Sequence, residues 1–279
     1  MNKQTFSIFY LLILFCGSGC LSLKEVNEYA ATSVVSLNRV SELNYSYSEY
    51  CRRDCELRQL RQGEIDTLYN CSCTAIAAKA DSTILMINHT LLAYLQAVEK
   101  ISNNQNFRYD VSGLSGAVQQ NSLLKLNNQQ TSVITKAGNI LATAATSFYR
   151  KNKLKEYLEK ADPVFSDLVQ TFIFLLNDRL RIQLREDYEI RLANQTQMLG
   201  NAKNDKGFKQ FIVKQSLDER AWYTSHVAYL NCYVALLRKV QEGHHQLYLQ
   251  RDHLKDSNVK NLAKRYAADL QDIAASVKQ

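Results

Sequence analysis

Apolar residues recur along most of the chain at alternating intervals of three and four, the spacing that puts side chains on one face of an α-helix. The longest such stripe covers residues 77–101, and others lie within residues 133–148, 169–188, 223–237 and 259–277. Stripes with this spacing form the contacts between packed helices. The pattern therefore predicts an all-α fold in which helices bury one face against each other.

Glycine, proline and polar clusters predict where these helices begin and end. The first helix is expected over residues 24–62, ended by Gly63, and another is expected to start near Thr131. Asp162 followed by Pro163 predicts the start of a helix of about 37 residues that stops at Gly200. Irregular connections are expected at residues 103–128 and 201–207. We predict an elongated, up-and-down bundle of about six helices, some very long, that forms one domain over residues 20–279.

Composition agrees with this fold class. The chain has 279 residues, of which 46% are hydrophobic and 22% charged, and this balance is typical of globular proteins. It contains a single proline, which argues against a β-sandwich or barrel, because the many turns of those folds use proline and glycine.

The first residues have the layout of an export signal. Lys3 precedes an apolar run over residues 6–15, and small residues follow it, so residues 1–19 are predicted to be a signal peptide. The run is short for a transmembrane helix, which needs roughly 20 apolar residues. An uncleaved membrane anchor that extends to Leu23 is the alternative.

Residues 17–20, Gly-Ser-Gly-Cys, resemble the lipobox of bacterial lipoproteins. Gly17 departs from the family pattern, which usually has leucine there, whereas Ser18 and Gly19 fit it. The resemblance implies that Cys20 is acylated and anchors the chain in a membrane; the alternative is ordinary cleavage after Gly19 without a lipid. Leu21 stands where an inner-membrane retention signal would have aspartate. The family rule then implies the outer membrane of a Gram-negative host, with the protein facing the periplasm.

Export changes the meaning of the net charge, which is +7. In a cytosolic protein this excess would suggest nucleic acid, but no nucleic-acid partner is expected in the periplasm. The positive charge instead favours anionic lipid headgroups or an acidic partner protein.

Four cysteines follow the predicted signal peptide within a short segment, with the spacing C-x3-C and then C-x-C. In an oxidising compartment disulfides are the expected state, and zinc binding is the alternative. If residues 24–103 form a helical hairpin, antiparallel packing favours two nested bonds: Cys51 with Cys73, and Cys55 with Cys71. A fifth cysteine, Cys232, lies on an apolar helix and is predicted to be a buried thiol.

Motifs for catalysis are scarce. The chain has no phosphate-binding loop, dinucleotide fingerprint, zinc-protease motif or calcium-binding loop. Glu242 and His245 have the Glu-x-x-His spacing of di-iron bundles, but that site needs a second copy, which is missing. Because Gly243 weakens a helix, we interpret this stretch as an exposed helix junction. We predict no metal, no cofactor and no catalytic residue.

Three tyrosines, Tyr45, Tyr47 and Tyr50, cluster before the cysteines. Tyrosine is common at binding surfaces, but it also fills the seams between helices while its hydroxyl stays at the rim. The two interpretations stay open at this point.

The sequence thus favours a non-enzymatic lipoprotein of the cell envelope that acts as a helical interaction or scaffold module. Examples are a secretion- or envelope-associated accessory protein and an immunity protein, with a protein of the envelope as partner. The alternative is a periplasmic carrier that holds a lipid or another apolar ligand between its helices. A hydrolase whose polar residues converge from distant positions is a third hypothesis.

Overall fold

The computed structural model describes residues 23–62, 73–103, 105, 122–146, 154–202 and 205–276. All the regular structure in these residues is helical, which confirms the predicted all-α bundle. Eight α-helices lie in these residues: α1 (Lys24–Leu37), α2 (Tyr47–Gln62), α3 (Thr74–Ser102), α4 (Asn128–Thr146), α5 (Leu154–Leu175), α6 (Arg181–Asn201), α7 (Lys206–Leu249) and α8 (Ser257–Ser276). A 3₁₀ segment, Asn38–Leu43, follows α1, and a π-helical turn, Leu176–Leu180, joins α5 to α6.

One part of the molecule, which we call the body, consists of α1, α3, α4, α5, α8 and residues 230–249 of α7. In the body, α1 packs against α3 and α8, while α5 packs against α3, α4 and α7. Its core is apolar and closely packed, and it includes Leu91, Leu95, Phe172 and Leu237, each with no exposed surface. The stripe predicted in α3 is confirmed, because all its members are buried: Ala77, Ala80, Ile84, Ile87, Leu91, Tyr94, Val98 and Ile101.

The other part, which we call the arm, consists of α2, α6 and residues 206–229 of α7. Here α6 packs against both α2 and α7. Burial is sparse in two of its three parts, because α6 buries only Leu184 and Asp187 and residues 206–229 bury only Ile212. The third part, α2, buries Tyr47, Cys51, Cys55, Leu57 and Gln59. The arm is therefore a thin extension of the same long helices that form the body.

The prediction of one continuous helix over residues 24–62 is wrong. The chain leaves the helix after Leu43, and Asn44 adopts the left-handed conformation with φ of 50°. A new helix then begins at Tyr47. The break has a local cause, because the Ser46 hydroxyl accepts a hydrogen bond from the backbone N–H of Glu49 at 3.1 Å and caps the new helix.

The predicted helix start at Asp162–Pro163 is also wrong, because both residues lie inside α5, which begins at Leu154. Proline in a helix interior costs about 3 kcal/mol. The preceding turns bury Leu154, Tyr157 and Leu158, and full burial of one such side chain contributes about 1.5–3 kcal/mol. Burial in the body thus outweighs the local stop signal.

Two other predicted boundaries lie close to the observed ones. The helix expected near Thr131 begins at Asn128, where Asn127 and Gln130 exchange backbone-to-side-chain hydrogen bonds at 2.8 and 3.0 Å. The stop expected at Gly200 falls one residue before the end of α6. Of the connection predicted at 103–128, residues 104 and 106–121 lie outside the described residues, and Ser122–Leu124 form a turn.

Candidate functional site

The predicted disulfide between Cys51 and Cys73 is present, with the two Cα atoms 6.0 Å apart. It joins α2 of the arm to the residue that precedes α3. Cys55 is also disulfide-bonded, while Cys71, its predicted partner, lies outside the described residues. Cys20, the predicted lipidation site, lies outside them too.

Cys232 differs from its prediction. It is half-buried rather than buried, and its sulfur lies 3.7 Å from the Ser276 hydroxyl. The tyrosine cluster, in contrast, is part of the protein interior. Tyr45 and Tyr47 are buried and Tyr50 is half-buried against the core, so these residues fill a helix seam and do not form an exposed binding surface.

The stretch from Glu242 to His245 is not an exposed junction, because α7 continues through it without a break. A Cβ atom on Gly243 would lie 2.6 Å from the ring of Tyr29, so glycine lets α1 and α7 approach closely. The Tyr29 hydroxyl donates to the Val240 carbonyl at 2.6 Å, which holds the ring in this position.

His244 lies at the centre of a buried polar network. Its Nδ1 is 2.9 Å from one carboxylate oxygen of Asp162, and its Nε2 is 2.5 Å from the Tyr94 hydroxyl. The other Asp162 oxygen is 3.0 Å from Nδ1 of the half-exposed His245. A neutral His244 with its proton on Nδ1 satisfies both contacts, since it donates to Asp162 and accepts from Tyr94.

Burial lowers the pKa of His244, and this effect outweighs the opposite influence of Asp162. Burial raises the pKa of Asp162, but the hydrogen bonds from His244 and His245 outweigh it and lower that pKa overall. Burial also raises the pKa of Tyr94 well above its usual value. The network is therefore neutral histidine, neutral tyrosine and carboxylate near pH 7.

An Asp–His–Tyr arrangement could move a proton, but here it has no room for a substrate. The cavity beside it, lined in part by Tyr94 and Phe165, measures about 10 Å³, which is space for one water molecule. Tyr94 and His244 are 5% and 1% exposed. We interpret this network as a structural contact that joins α3, α5 and α7.

Ion pairs and aromatic rings hold the arm together. Asp187 of α6, which is 3% exposed, accepts from Arg53 at 2.5 Å and from Arg191 at 3.0 Å. Arg53 also pairs with Glu219 of α7, and its guanidinium lies 3.8 Å above the ring of Trp222. Arg53 thus connects all three helices of the arm.

The free end of the arm, which we call the tip, is residues 206–217 of α7. Four apolar side chains are exposed in this short stretch: Phe208 (37%), Phe211 (53%), Val213 (46%) and Leu217 (58%). Three lysines, Lys206, Lys209 and Lys214, accompany them, and the stretch contains no acidic residue. None of the three lysines forms an ion pair with another residue of the described chain. The tip combines apolar surface with positive charge.

The tip lies far from the beginning of α1. Tyr29 of α1 contacts α7 at Val240, which is 29 residues after Phe211 along one continuous helix. At 1.5 Å per residue this separation is about 44 Å. The two ends of the molecule are thus the start of α1 in the body and the tip of the arm.

A pocket of about 320 Å³ opens at the break in the chain between α1 and α2. Its apolar wall comes from the 3₁₀ segment, α3 and the π-helical turn: Val40, Leu43, Ile84, Leu85, Leu176 and Leu180. Asp81 and Glu49 are polar members of the lining. π-Helical turns are rare and often lie at functional sites. The pocket is the second candidate site.

Asp81 shapes this pocket by capping α2 from outside. Its two carboxylate oxygens accept the backbone N–H groups of Tyr47 and Ser48 at 2.8 and 3.0 Å. The sequence carried a signal for the break, because Ser46 and Glu49 have the S-x-x-E spacing of a capping box. No local signal identifies Asp81, which lies more than 30 residues further along the chain.

Within the described residues, no group of three or more histidine, cysteine, aspartate or glutamate side chains is arranged to bind a metal ion. Among the helices described, none combines the length and apolar character that a bilayer crossing requires. His89, a histidine beside an apolar stripe, is exposed on α3.

No protein-family model, curated protein or solved structure matches the chain. The candidate sites are therefore interpreted from the chemistry of their own residues.

Proposed function

We propose that the chain is a lipid-anchored, non-enzymatic protein of the bacterial cell envelope that presents the tip of its arm to an acidic partner protein. Cys20 carries the lipid, which anchors the protein in the outer membrane on its periplasmic side, and the body supports the arm. The observation that carries the proposal is the tip, where four apolar side chains are exposed beside three unpaired lysines. Exposed apolar groups in a cluster are typical of interaction sites.

The distance between the two ends supports a protein partner rather than the anchoring membrane. The described chain begins at Leu23, three residues after the proposed acylation site. The tip lies about 44 Å from the part of α7 that contacts α1. If Cys20 is inserted in a bilayer, the rigid α7 helix holds the tip away from that bilayer, where proteins are the available partners.

Charge indicates the chemistry of the partner. Residues 206–217 carry three positive charges and no negative one, and Asp205 and Asp218 flank them on either side. An acidic surface with apolar side chains at its centre complements the tip in both respects. Contacts with such a surface would bury Phe211 and Leu217, the two most exposed apolar residues of the tip.

A crosslinking experiment in cells tests the interaction. A photo-reactive amino acid replaces Phe211 at the tip or, as a matched control, Val35, which is an exposed apolar residue of the body (70% exposed). We expect one discrete adduct from position 211 and none from position 35. The adduct should disappear when Lys206 and Lys209 are changed to glutamate. An adduct of equal strength from both positions, or one that survives the charge reversal, would contradict the proposal.

Metabolic labelling tests the anchor separately. With an alkyne-tagged palmitate analogue, we expect the full chain to be labelled and Cys20→Ala to be unlabelled, with Cys16→Ala labelled as in the wild type. Labelling that survives Cys20→Ala would contradict acylation at Cys20.

The pocket at the break between α1 and α2 supports a second function, in which the protein is a carrier of an apolar ligand. Its volume of about 320 Å³ lies at the lower end of the range for small-molecule sites. Ligand binding there is compatible with an interaction role of the arm, because the pocket and the tip share no residue.

A further inference from the structure

The pocket between the 3₁₀ segment, α2, α3 and the π-helical turn is lined by apolar side chains and by two carboxylates, Glu49 and Asp81. Leu85 of α3 borders it and is 46% exposed. Asp81 lies one helical turn before Leu85, and residues four apart lie on the same face of a helix. α3 therefore places a carboxylate directly beside uncovered apolar surface.

The two carboxylates of the lining differ in their partners. Glu49 is neutralised by Arg52, whose guanidinium lies 2.6 Å from it, and these hydrogen bonds lower the pKa of Glu49. Asp81 accepts only backbone N–H groups, and no basic side chain of the described chain pairs with it. The positive end of α2 offsets about half a charge. Asp81 thus has no ion-pair partner at the pocket among the described residues.

Asp81 also has hydrogen-bonding capacity left. An ionised carboxylate offers about four acceptor positions, and α2 occupies one on each oxygen. A protonated amine donates up to three hydrogen bonds and carries a positive charge that would pair with the Asp81 carboxylate. An apolar chain attached to that amine would cover Leu85 and the wall formed by Ile84, Leu176 and Leu180.

We propose that this pocket binds a single-chain amphiphile with a cationic amine head, the head at Asp81 and the chain against Leu85. The inference deepens the carrier function and is independent of the arm and its partner. A volume of about 320 Å³ suits one short chain.

Calorimetric titration of the full chain with three ten-carbon probes tests the proposal: decylammonium and decanoate below their micelle concentrations, and decanol below its solubility limit. We expect one decylammonium to bind per chain, at least tenfold more tightly than decanol and with decanoate weakest. Asp81→Asn should reduce the difference between decylammonium and decanol to less than threefold.

A second pair of variants locates the site. Leu85→Trp should weaken decylammonium binding at least tenfold by filling the mouth of the pocket. Leu60→Trp, at a position that is 73% exposed on the arm and outside the pocket, should leave it unchanged. Circular dichroism confirms that each variant keeps its helices.

The outcomes separate the two claims. Equal binding of all three probes, lost in Leu85→Trp, would overturn the cationic preference and keep a carrier of apolar ligands. Absence of binding by any probe, or binding that Leu85→Trp does not weaken, would overturn the site itself and the carrier function with it.

Discussion

The body and the arm are built from the same long helices, but different forces hold them. In the body, residues 230–249 of α7 bury Leu230, Val234, Leu237 and Val240 in a continuous apolar core. In the arm, the preceding half of the same helix buries only Ile212. Its contacts with α2 and α6 are instead ion pairs and stacked rings, such as Tyr188 on Tyr223 at 4.4 Å.

This difference indicates that the body provides most of the stability and that the arm provides the binding surface. Burial of apolar surface is the main stabilising contribution in a folded protein, so the body should account for most of the free energy of unfolding. The arm, with less buried surface, should open more readily and independently. The apolar side chains at the tip of the arm are not packed into the core, so they are available to bind a partner.

The largest expected effect compares two phenylalanines. Phe172 is fully buried in the body, and Phe172→Ala should lower the free energy of unfolding by about 3–5 kcal/mol. Phe211 is 53% exposed at the tip, and Phe211→Ala should change the free energy of unfolding by less than about 0.5 kcal/mol. Urea denaturation measures both. Equal losses would show that the body and the arm do not differ in this way.

The next effect concerns the charges of the arm. Asp187→Asn leaves Arg53 and Arg191, which are 11% and 14% exposed, without their shared carboxylate. We expect a loss of about 2–3 kcal/mol, slightly less than for a fully buried pair, because water reaches both arginines. Asp218→Asn, at an exposed position of α7, is the matched control and should have no measurable effect.

Hydrogen exchange sharpens this second prediction. In Asp187→Asn, amides of α2 and α6 should exchange faster, while those of α3 and α5 should change little, because the network lies entirely in the arm. A uniform increase over the body and the arm would contradict the assignment of this network to a local role.

A smaller effect is expected at the contact between α1 and α7. Gly243→Ala places a Cβ atom 2.6 Å from the buried ring of Tyr29, so the ring or the helix must move. We expect a net loss of about 1–2 kcal/mol, because overpacking outweighs the higher helix propensity of alanine. Gly200→Ala, where nothing lies within 4 Å, should instead stabilise the protein by up to about 1 kcal/mol. Thermal denaturation of the two variants gives the comparison.

The smallest effect is a pH dependence that belongs to the body. Burial lowers the pKa of His244 in the folded state, so below about pH 6.5 the unfolded chain binds a proton that the folded chain does not. Stability should therefore fall with falling pH, by at most about 1.4 kcal/mol per pH unit for this one proton. Asp162, whose pKa is lowered, should add a further loss below about pH 4.

Two variants assign the pH dependence. Between pH 7.5 and 5, urea denaturation of His244→Gln should show a smaller slope than the wild type. His89→Gln, which changes an exposed histidine, should keep the full slope. An unchanged slope in His244→Gln would show that other groups cause the dependence.

Particular residues show how far the sequence alone predicts this structure. The stripe in α3 was predicted correctly because its members are close in sequence and share one helix face. The break before Tyr47 has only a weak local signal, the capping-box spacing of Ser46 and Glu49, and the helical apolar pattern continues on both sides of it. Gly243 and Pro163 are residue types that predict helix boundaries, whereas both lie within continuous helices.

Local patterns in the chain thus determine the helices and most of their apolar faces, and the cysteine spacing correctly predicts the bond between Cys51 and Cys73. Tertiary packing alone decides that Asp162 meets His244, that Arg53 joins three helices, and that Asp81 caps α2 beside a pocket. The physical reason is distance along the chain. Helix periodicity depends on neighbours three and four residues apart, whereas these polar groups find partners 33 to 166 residues away.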